Sequence, residues 1–199
     1  MAGIQEAKRL ETGRRVLEAA VTLMQEEGLQ ALQIRAIANK AGYSVGSVYK
    51  HYPDIDKLII AVNSITLEGM MERLSNAVAK ADTPLDRLKA LARTYLHFAK
   101  DQSNLWRGLF EHHLAGNDEI PKEHKQQNVA LLTLIGKELA ELNPSLDSDS
   151  LATRSRTCFA AVHGMVTFSM EGRFVGLSGE MLEKELDFLV EQLVLPSQQ

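Results

Sequence analysis

At 199 residues, with 45% apolar and 24% charged residues, the chain is long enough to bury its own core without disulfides or metals, and too apolar to be disordered. No apolar run approaches the roughly 20 uninterrupted residues that a membrane helix needs, the N-terminus carries no secretion-type sequence, and the lone Cys158 has no partner for an internal disulfide; a reducing cytoplasm is expected. The net charge of −4 is unevenly spread, since residues 1–57 hold eight Lys and Arg against seven Asp and Glu and the remainder fourteen against nineteen, which permits a polyanionic partner at the N-terminal end.

Apolar residues recur at helical spacing from end to end, with no internal repeat, no low-complexity tract and no strand-like alternation beyond a few residues, so the expected fold class is all-α. The first helix is expected over about residues 7–27, with Val16, Leu17, Ala20, Leu23 and Met24 on one face, Gly28 as a left-handed stop, and Leu29 and Leu32 tucking the connector against the core. Two short helical segments follow, residues 33–41 and 44–52, separated by Gly42 and Tyr43. Both are too short to hold alone. Ile34, Ile37, Ala38, Ala41, Val45, Val48 and Tyr52 recur at the right spacing to give them a shared three-helix core.

Pro53 and Asp54 punctuate the chain before a long helix over about residues 55–80, whose apolar positions are Leu58, Ile59, Val62, Ile65, Leu74 and Val78 and which bridges two parts of the molecule. Thr83 and Pro84 make a cap and first-position pair for a helix carrying Leu85, Leu88, Leu91, Tyr95 and Phe98. Ser103 is positioned to cap the next, which Gly116 ends. Residues 121–142 form another, stopping at Asn143 and Pro144. Asp147 or Asp149 caps a long helix to about Gly172, and Ser178 starts the last, with Leu182, Leu186, Leu189, Val190 and Leu193 as its stripe. The apolar faces of 151–170 and 181–194 suit either a homodimer seam or ordinary internal core.

A short helix, a Gly-containing turn and a second short helix, braced by an amphipathic helix before them, have the shape of a helix-turn-helix DNA reader. In the second helix Ser44 can cap the N-terminus, and Val45, Gly46 and Ser47 leave that end slim enough to approach base edges. Gly46 costs roughly 1 kcal/mol relative to Ala in a helix, which close backbone approach to a partner would explain. Tyr43, Tyr49, Lys50 and His51 supply donors of the kind that bind phosphate oxygens; Tyr52 falls on the core face.

The stretch RVLEAAVTLMQEEGLQALQIRAIANKAGYSVGSVYKHY resembles the N-terminal signature of the tetracycline-repressor (TetR) family of transcriptional regulators, matching through Gly28, Ile37, Ala38, Ala41, Gly42, Ser44, Gly46, Ser47, Tyr49 and His51 without gaps. The resemblance implies a helix-turn-helix DNA-binding domain, residues 1–57, joined to a larger helical ligand-sensing and dimerisation domain, 58–199. It implies a cytoplasmic homodimeric repressor of a palindromic operator, released by an effector. It puts Val45, Gly46 and Ser47 in the major groove and Tyr43, Tyr49 and His51 on phosphates, with Lys50 beside them and Lys8, Arg9, Arg14 and Arg15 as further contacts or a solvated face. Two positions depart from the family pattern. Gln33 replaces a Thr or Ser that caps the second helix and meets phosphate, and Ile55 replaces a Lys at the start of the fourth, where Lys57 can compensate. In the C-terminal part, FAAVHGMVTFSMEGRF, with Phe159, His163, Gly164, Gly172 and Arg173, is similar to a subfamily signature of Trp, His and Gly, with Phe159 in place of the Trp.

For the effector, Tyr95, Phe98, Trp106, Phe110, His113, Met165 and Phe168 are expected either to line an apolar cavity, which would suit a small lipophilic ligand oriented by His97, His113 or His163, or to pack as plain core. No cofactor and no metal site is expected. A catalytic reading would rest on Cys158 with His163, or on Glu111, His112, His113 and His124, but helical spacing separates the first pair by roughly 140° and His112 from His113 by roughly 100°. A helical protein-interaction module without DNA binding is the other alternative.

Overall fold

In the computed structural model, which describes residues 2–113, 121–172 and 177–195, the elements are α1 (Ala2–Glu27), a 3-10 turn (Leu29–Ala31), α2 (Ile34–Ala41), α3 (Val45–Tyr49), α4 (Ile55–Val78), α5 (Pro84–Asp101), α6 (Ser103–Glu111), α7 (Lys122–Leu142), α8 (Ser148–Glu171) and α9 (Gly179–Val194). No strand occurs among the described residues. The chain divides into two compact units, Met1–Leu67 with Gln102–His124 and Glu68–Asp101 with Lys125–Gln199, so α4 gives residues to both.

The first unit is built on one core. Val16, Ala20, Met24, Ile37, Val48, Leu58 and Val62 are fully enclosed in it, with Ala38, Leu32 and Leu105 around them. Gly28 (φ 86°) stops α1 and Gly42 (φ 75°) stops α2, both in the left-handed region that a side chain would strain. The N–H of Tyr43 then donates to Ala38 O at 2.9 Å, closing the turn. Helix α1 starts well before the apolar pattern does: residues 3–10 are all exposed, because periodicity marks the buried stretch of a helix and not its solvated extension.

Helix α3 is shorter than expected. It ends at Tyr49, and residues 50–52 turn off with the N–H groups of His51 and Tyr52 both donating to Val48 O at 3.0 Å. Pro53 disfavours helical geometry at the residue before it, which stops the helix running on. Of the α3 residues expected in the core, Val48 is enclosed and Tyr52 packs half-buried on its edge, whereas Val45 is 37% exposed. Asp54 Oδ1 accepts the N–H of Lys57 at 2.7 Å and caps α4. Ile65, expected on the apolar face of α4, is instead exposed: Leu58, Val62, Thr66, Met70 and Leu74 set the buried line in four-residue steps, and Ile65 lies about 100° from Thr66.

Helix α6 belongs to this first unit, together with Met1–Leu67. Its cap position is Gln102 and not Ser103, and the expected stop at Gly116 lies outside the described residues. Buried Gly108 faces Met24, and Asn63 Nδ2 donates to Gly108 O at 3.1 Å.

The second unit packs α5, α7, α8 and α9 around Leu88, Leu91, Tyr95, Leu96, Leu139, Val166, Leu182, Leu186 and Val190. Thr83 Oγ1 accepts the N–H of Asp86 at 3.1 Å and caps α5 as its sequence predicts. Asp147, not Asp149, caps α8 through the N–H of Ser150 at 2.7 Å, and Gly172 (φ 66°) ends it. Ser178 stands at the start of α9 without a side-chain cap bond. Arg87 on α5 reaches Glu138 and Glu141 on α7, and Lys89 and Arg93 reach Glu191 and Asp187 on α9. Glu138 is completely buried, and Arg87 is its partner there.

A Cβ on Gly108 would sit 2.8 Å from the sulfur of Met24, which is itself fully enclosed. Gly108→Val is expected to destabilise the protein by about 1–3 kcal/mol through overpacking, read as a lowered midpoint in urea unfolding.

Candidate DNA interface and effector cavity

The N-terminal end of α3 is held open by its own cap. Ser44 Oγ accepts the N–H of Ser47 at 3.2 Å and lies 2.9 Å from the Ser47 hydroxyl, so both serines organise the turn. Val45 and Gly46 are exposed beside them. A Cβ added to Gly46 would meet nothing but Ser44 Oγ, at 3.9 Å. Packing within the protein therefore does not demand a glycine there, which leaves room for an outside partner as the reason for one.

Tyr49 is 50% exposed and Lys50 is exposed, while His51 and Tyr43 are half-buried, Tyr43 against the first unit's core. Gln33 is exposed at the cap position of α2 and makes no side-chain cap bond, so the capping by the family's Thr or Ser is not reproduced. Ile55 packs half-buried on the core, and Lys57 is half-buried on the first turn of α4. Arg14 and Arg15 are tied along α1 to Glu11, and Arg14 also to Glu18. Lys8 and Arg9, one turn earlier, instead line a polar groove with Gln5, Thr12, Ser47, Lys50 and His51.

The second unit holds a narrow, part-open cavity of about 40 Å³, walled by aliphatic side chains from α4 (Leu74), α5 (Leu88, Leu91), α7 (Leu131, Ile135), α8 (Val162) and α9 (Val190), together with Tyr95, Cys158 and Phe159. That is room for a few waters only, in a lining that offers them almost no partners. At its edge the Tyr95 hydroxyl lies 2.8 Å from His163 Nδ1, with Phe159 stacked on the imidazole at 5.7 Å. Burial holds His163 below the usual imidazole range and pushes the Cys158 thiol up.

Of the residues expected at an effector site, Tyr95 lines this cavity. Phe98 is buried with the Arg73 guanidinium 5.3 Å above its ring, Met165 is half-buried on α8, and Phe168 is 50% exposed. Trp106, Phe110 and His113 belong to the first unit, where the two rings pack 5.5 Å apart and His113 Nδ1 sits 2.9 Å from Glu111 O. His97 is exposed and pairs with Glu183. An aromatic residue announces burial but not which core receives it; the cavity walls are plain Leu, Ile and Val, whose helical spacing was visible and whose role was not. Cys158 and His163 stand on one helix but serve different neighbours, the thiol in the cavity wall and the imidazole at Tyr95. His112 donates to Asp56 at 2.9 Å and His124 meets Ser64 at 3.0 Å. Among the described residues no three His, Cys, Asp or Glu side chains gather where a metal ion could sit, and no helix is long and apolar enough to cross a membrane.

Residues 16–62 match the model for bacterial regulatory proteins of the tetR family, and residues 88–193 match a tetracyclin repressor-like C-terminal domain. The chain belongs to the TetR family. It is 30% identical over 83 residues to the HTH-type transcriptional repressor KstR of Mycolicibacterium smegmatis (strain ATCC 700084 / mc(2)155), a match covering 42% of this chain and 40% of that protein. The chain thus spans about two fifths of the length of the curated relatives it matches. In fold this TetR-family member is similar to a protein of unknown function from Rhodococcus sp. RHA1 (TM-score 0.75, 22% identity, 92% of this chain and 96% of that one). It is similar also to the transcriptional regulator FadR from Bacillus subtilis, solved in complex with stearoyl-CoA (TM-score 0.70, 18% identity, 91% and 97%). The match over 16–62 contains α2, α3 and the turn between them, which is the helix-turn-helix read from the sequence.

Because His163 is held neutral by burial, its folded pKa lies below its unfolded value of about 6.5. Its stabilising contribution is therefore present above that pH and lost as pH falls through it, since the unfolded chain takes the proton first. Thermal melts at pH 7.5 and 5.5 are expected to show a smaller acid loss in His163→Gln than in the wild type.

Proposed function

We propose that this chain is a cytoplasmic, effector-released repressor that binds a palindromic operator as a homodimer through α2 and α3. The observation that carries the reading is the N-terminal end of α3: a capped, slim, exposed edge whose glycine nothing inside the protein requires. Val45, Gly46 and Ser47 meet base edges in the major groove, with Ser44 setting their geometry. Gln33, Tyr43, Tyr49, Lys50, His51 and Lys57 contact the phosphate backbone around them. Exposed Met181 and Phe188 on α9 and Phe168 on α8 support a seam between two copies through these helices, which would set two readers on half-sites about 34 Å, or a multiple, apart.

The effector in this reading is a small lipophilic molecule. The aliphatic walls of the second unit's cavity favour an apolar body, and Tyr95 with His163 offers a neutral hydrogen-bonding end. The cavity is too small as it stands, so the ligand must part the helices to enter. It releases DNA only insofar as it binds the DNA-incompetent form more tightly. Helix α4 supports a coupling route, because Leu74 lines the cavity while Leu58 and Val62 sit in the reader's core. Val162→Phe is expected to fill the cavity and abolish release by any effector that relieves the wild type, with operator affinity within about twofold; competitive titration against a labelled operator reads both.

Selection of the purified protein on random duplexes, followed by sequencing, is expected to enrich one palindrome for the wild type and none for Tyr49→Ala or Gly46→Glu. No enrichment by the wild type at low salt would overturn the reading in favour of a protein-interaction module.

A further inference from the structure

Besides the narrow apolar cavity, the second unit has a wider space of about 220 Å³ between the end of α7, the start of α8 and the end of α9. The two are continuous along the helices. On each of three helices the lining steps on by one turn: from Ile135 to Leu139 on α7, from Cys158 to Arg154 on α8, and from Val190 to Val194 on α9. Four residues of helix rise about 6 Å and return to nearly the same face, so the wider space extends the cavity in one direction. Leu193 and Val194 line both and form their common wall.

The chemistry changes across that wall. The wider space holds Arg154, Asn143 and Gln192, and no carboxylate is part of its lining. Asn143 is already committed, its Nδ2 donating to Val194 O at 3.3 Å and holding the end of α9. Arg154 is not. Arg87, Lys89 and Arg93 of the same unit each meet a carboxylate, whereas among the described residues Arg154 meets none. Its charge nevertheless reaches the cavity wall: burial pushes the Cys158 thiol up, and Arg154, one turn away, pulls it back down.

We infer that the effector is a free carboxylic acid with an aliphatic chain, its carboxylate paired with Arg154 in the wider space and its chain entering the apolar cavity past Leu193. This rests on the proposed reading of the cavity as the effector site and adds the class of ligand. An arginine fork presents two parallel N–H donors to a planar carboxylate, and the Gln192 amide stands beside it. One cation matches one negative charge, so a monocarboxylate fits, while a phosphate ester of several charges would leave most of them uncompensated. The head site has room as it stands and the chain site does not, which sets an order: the carboxylate docks, and the chain then parts the helices. Arg154 and His163 lie nine residues apart on α8, about 13 Å of helix axis, so a chain of that reach fills the cavity before meeting the polar pair of Tyr95 and His163.

Calorimetric titration of the full-length protein with decanoate, decanol and decanoyl-CoA tests this without DNA. The wild type is expected to bind decanoate about tenfold more tightly than decanol, the gain from one hydrogen-bonded charge pair. Arg154→Gln is expected to erase that difference by weakening decanoate and leaving decanol unchanged, and Arg154→Lys to keep part of it. The melting temperature of the unliganded protein is expected to stay the same in both variants, since Arg154 is exposed. Arg156→Gln removes the same charge from an exposed position roughly 200° round the helix and is expected to leave decanoate affinity unaltered. Equal affinities for decanoate and decanol, or an equal loss in Arg154→Gln and Arg156→Gln, would overturn the carboxylate assignment and leave the lipophilic cavity standing. Tighter binding of decanoyl-CoA than of decanoate would overturn the free acid in favour of its thioester. If none of the three binds, this assignment and the effector reading of the cavity both fall.

Discussion

A helix of five residues cannot hold its shape in water, because the cost of its first turn is never repaid by the few bonds that follow. Everything the first unit does rests on overcoming that cost for α3. Val48 is the anchor: it is the fully enclosed residue of the segment, sunk among Val16, Ala20, Met24, Ile37 and Leu58. With one side chain fixed in this way and Ser44 closing the N-terminal turn, the remaining positions of α3 are released from structural duty. Val45 and Gly46 can be exposed because Val48 is not.

The same division of labour explains why the first unit reaches forward in the chain to recruit α6. The reader's core is small, and Leu105 and Gly108 close it on the side of Met24, with Asn63 bonded to the Gly108 carbonyl. Trp106 and Phe110 follow as part of that packing. In the sequence these aromatic residues come after a break at Gln102 and fall naturally to the later, larger part. Nothing in their spacing says otherwise, because periodicity gives the face a helix buries and not the partner it buries it against.

Where a boundary depends on a few neighbouring residues, the sequence was a good guide. Gly28, Gly42 and Gly172 stop helices by conformational freedom, Thr83 caps by a hydroxyl three residues from its donor, and the helix-turn-helix is legible from the spacing of Ile37, Ala38, Gly42, Ser44 and Val48. Where tertiary contact decides, it was not. Val45 and Ile65 have the side chains of core residues and lie outside the core, Ser103 yields the cap position to Gln102, and Tyr95 joins a cavity whose leucines and valines the sequence marks only as apolar helix faces. Aliphatic walls carry no mark that separates a sealed core from a space a ligand can open.

The cavity's small volume bears on what the protein would respond to. On the proposed reading, the empty form is the packed one, and each kilocalorie per mole needed to part its helices must be recovered from apolar surface the ligand hides, about 40 Å² at roughly 25 cal/mol per Å². Small solutes recover little of that cost and bind weakly, and longer aliphatic bodies recover more of it. The sensor is then a gauge of molecular size before it is a reader of chemical detail, and its resting silence is kept by the cohesion of its own side chains.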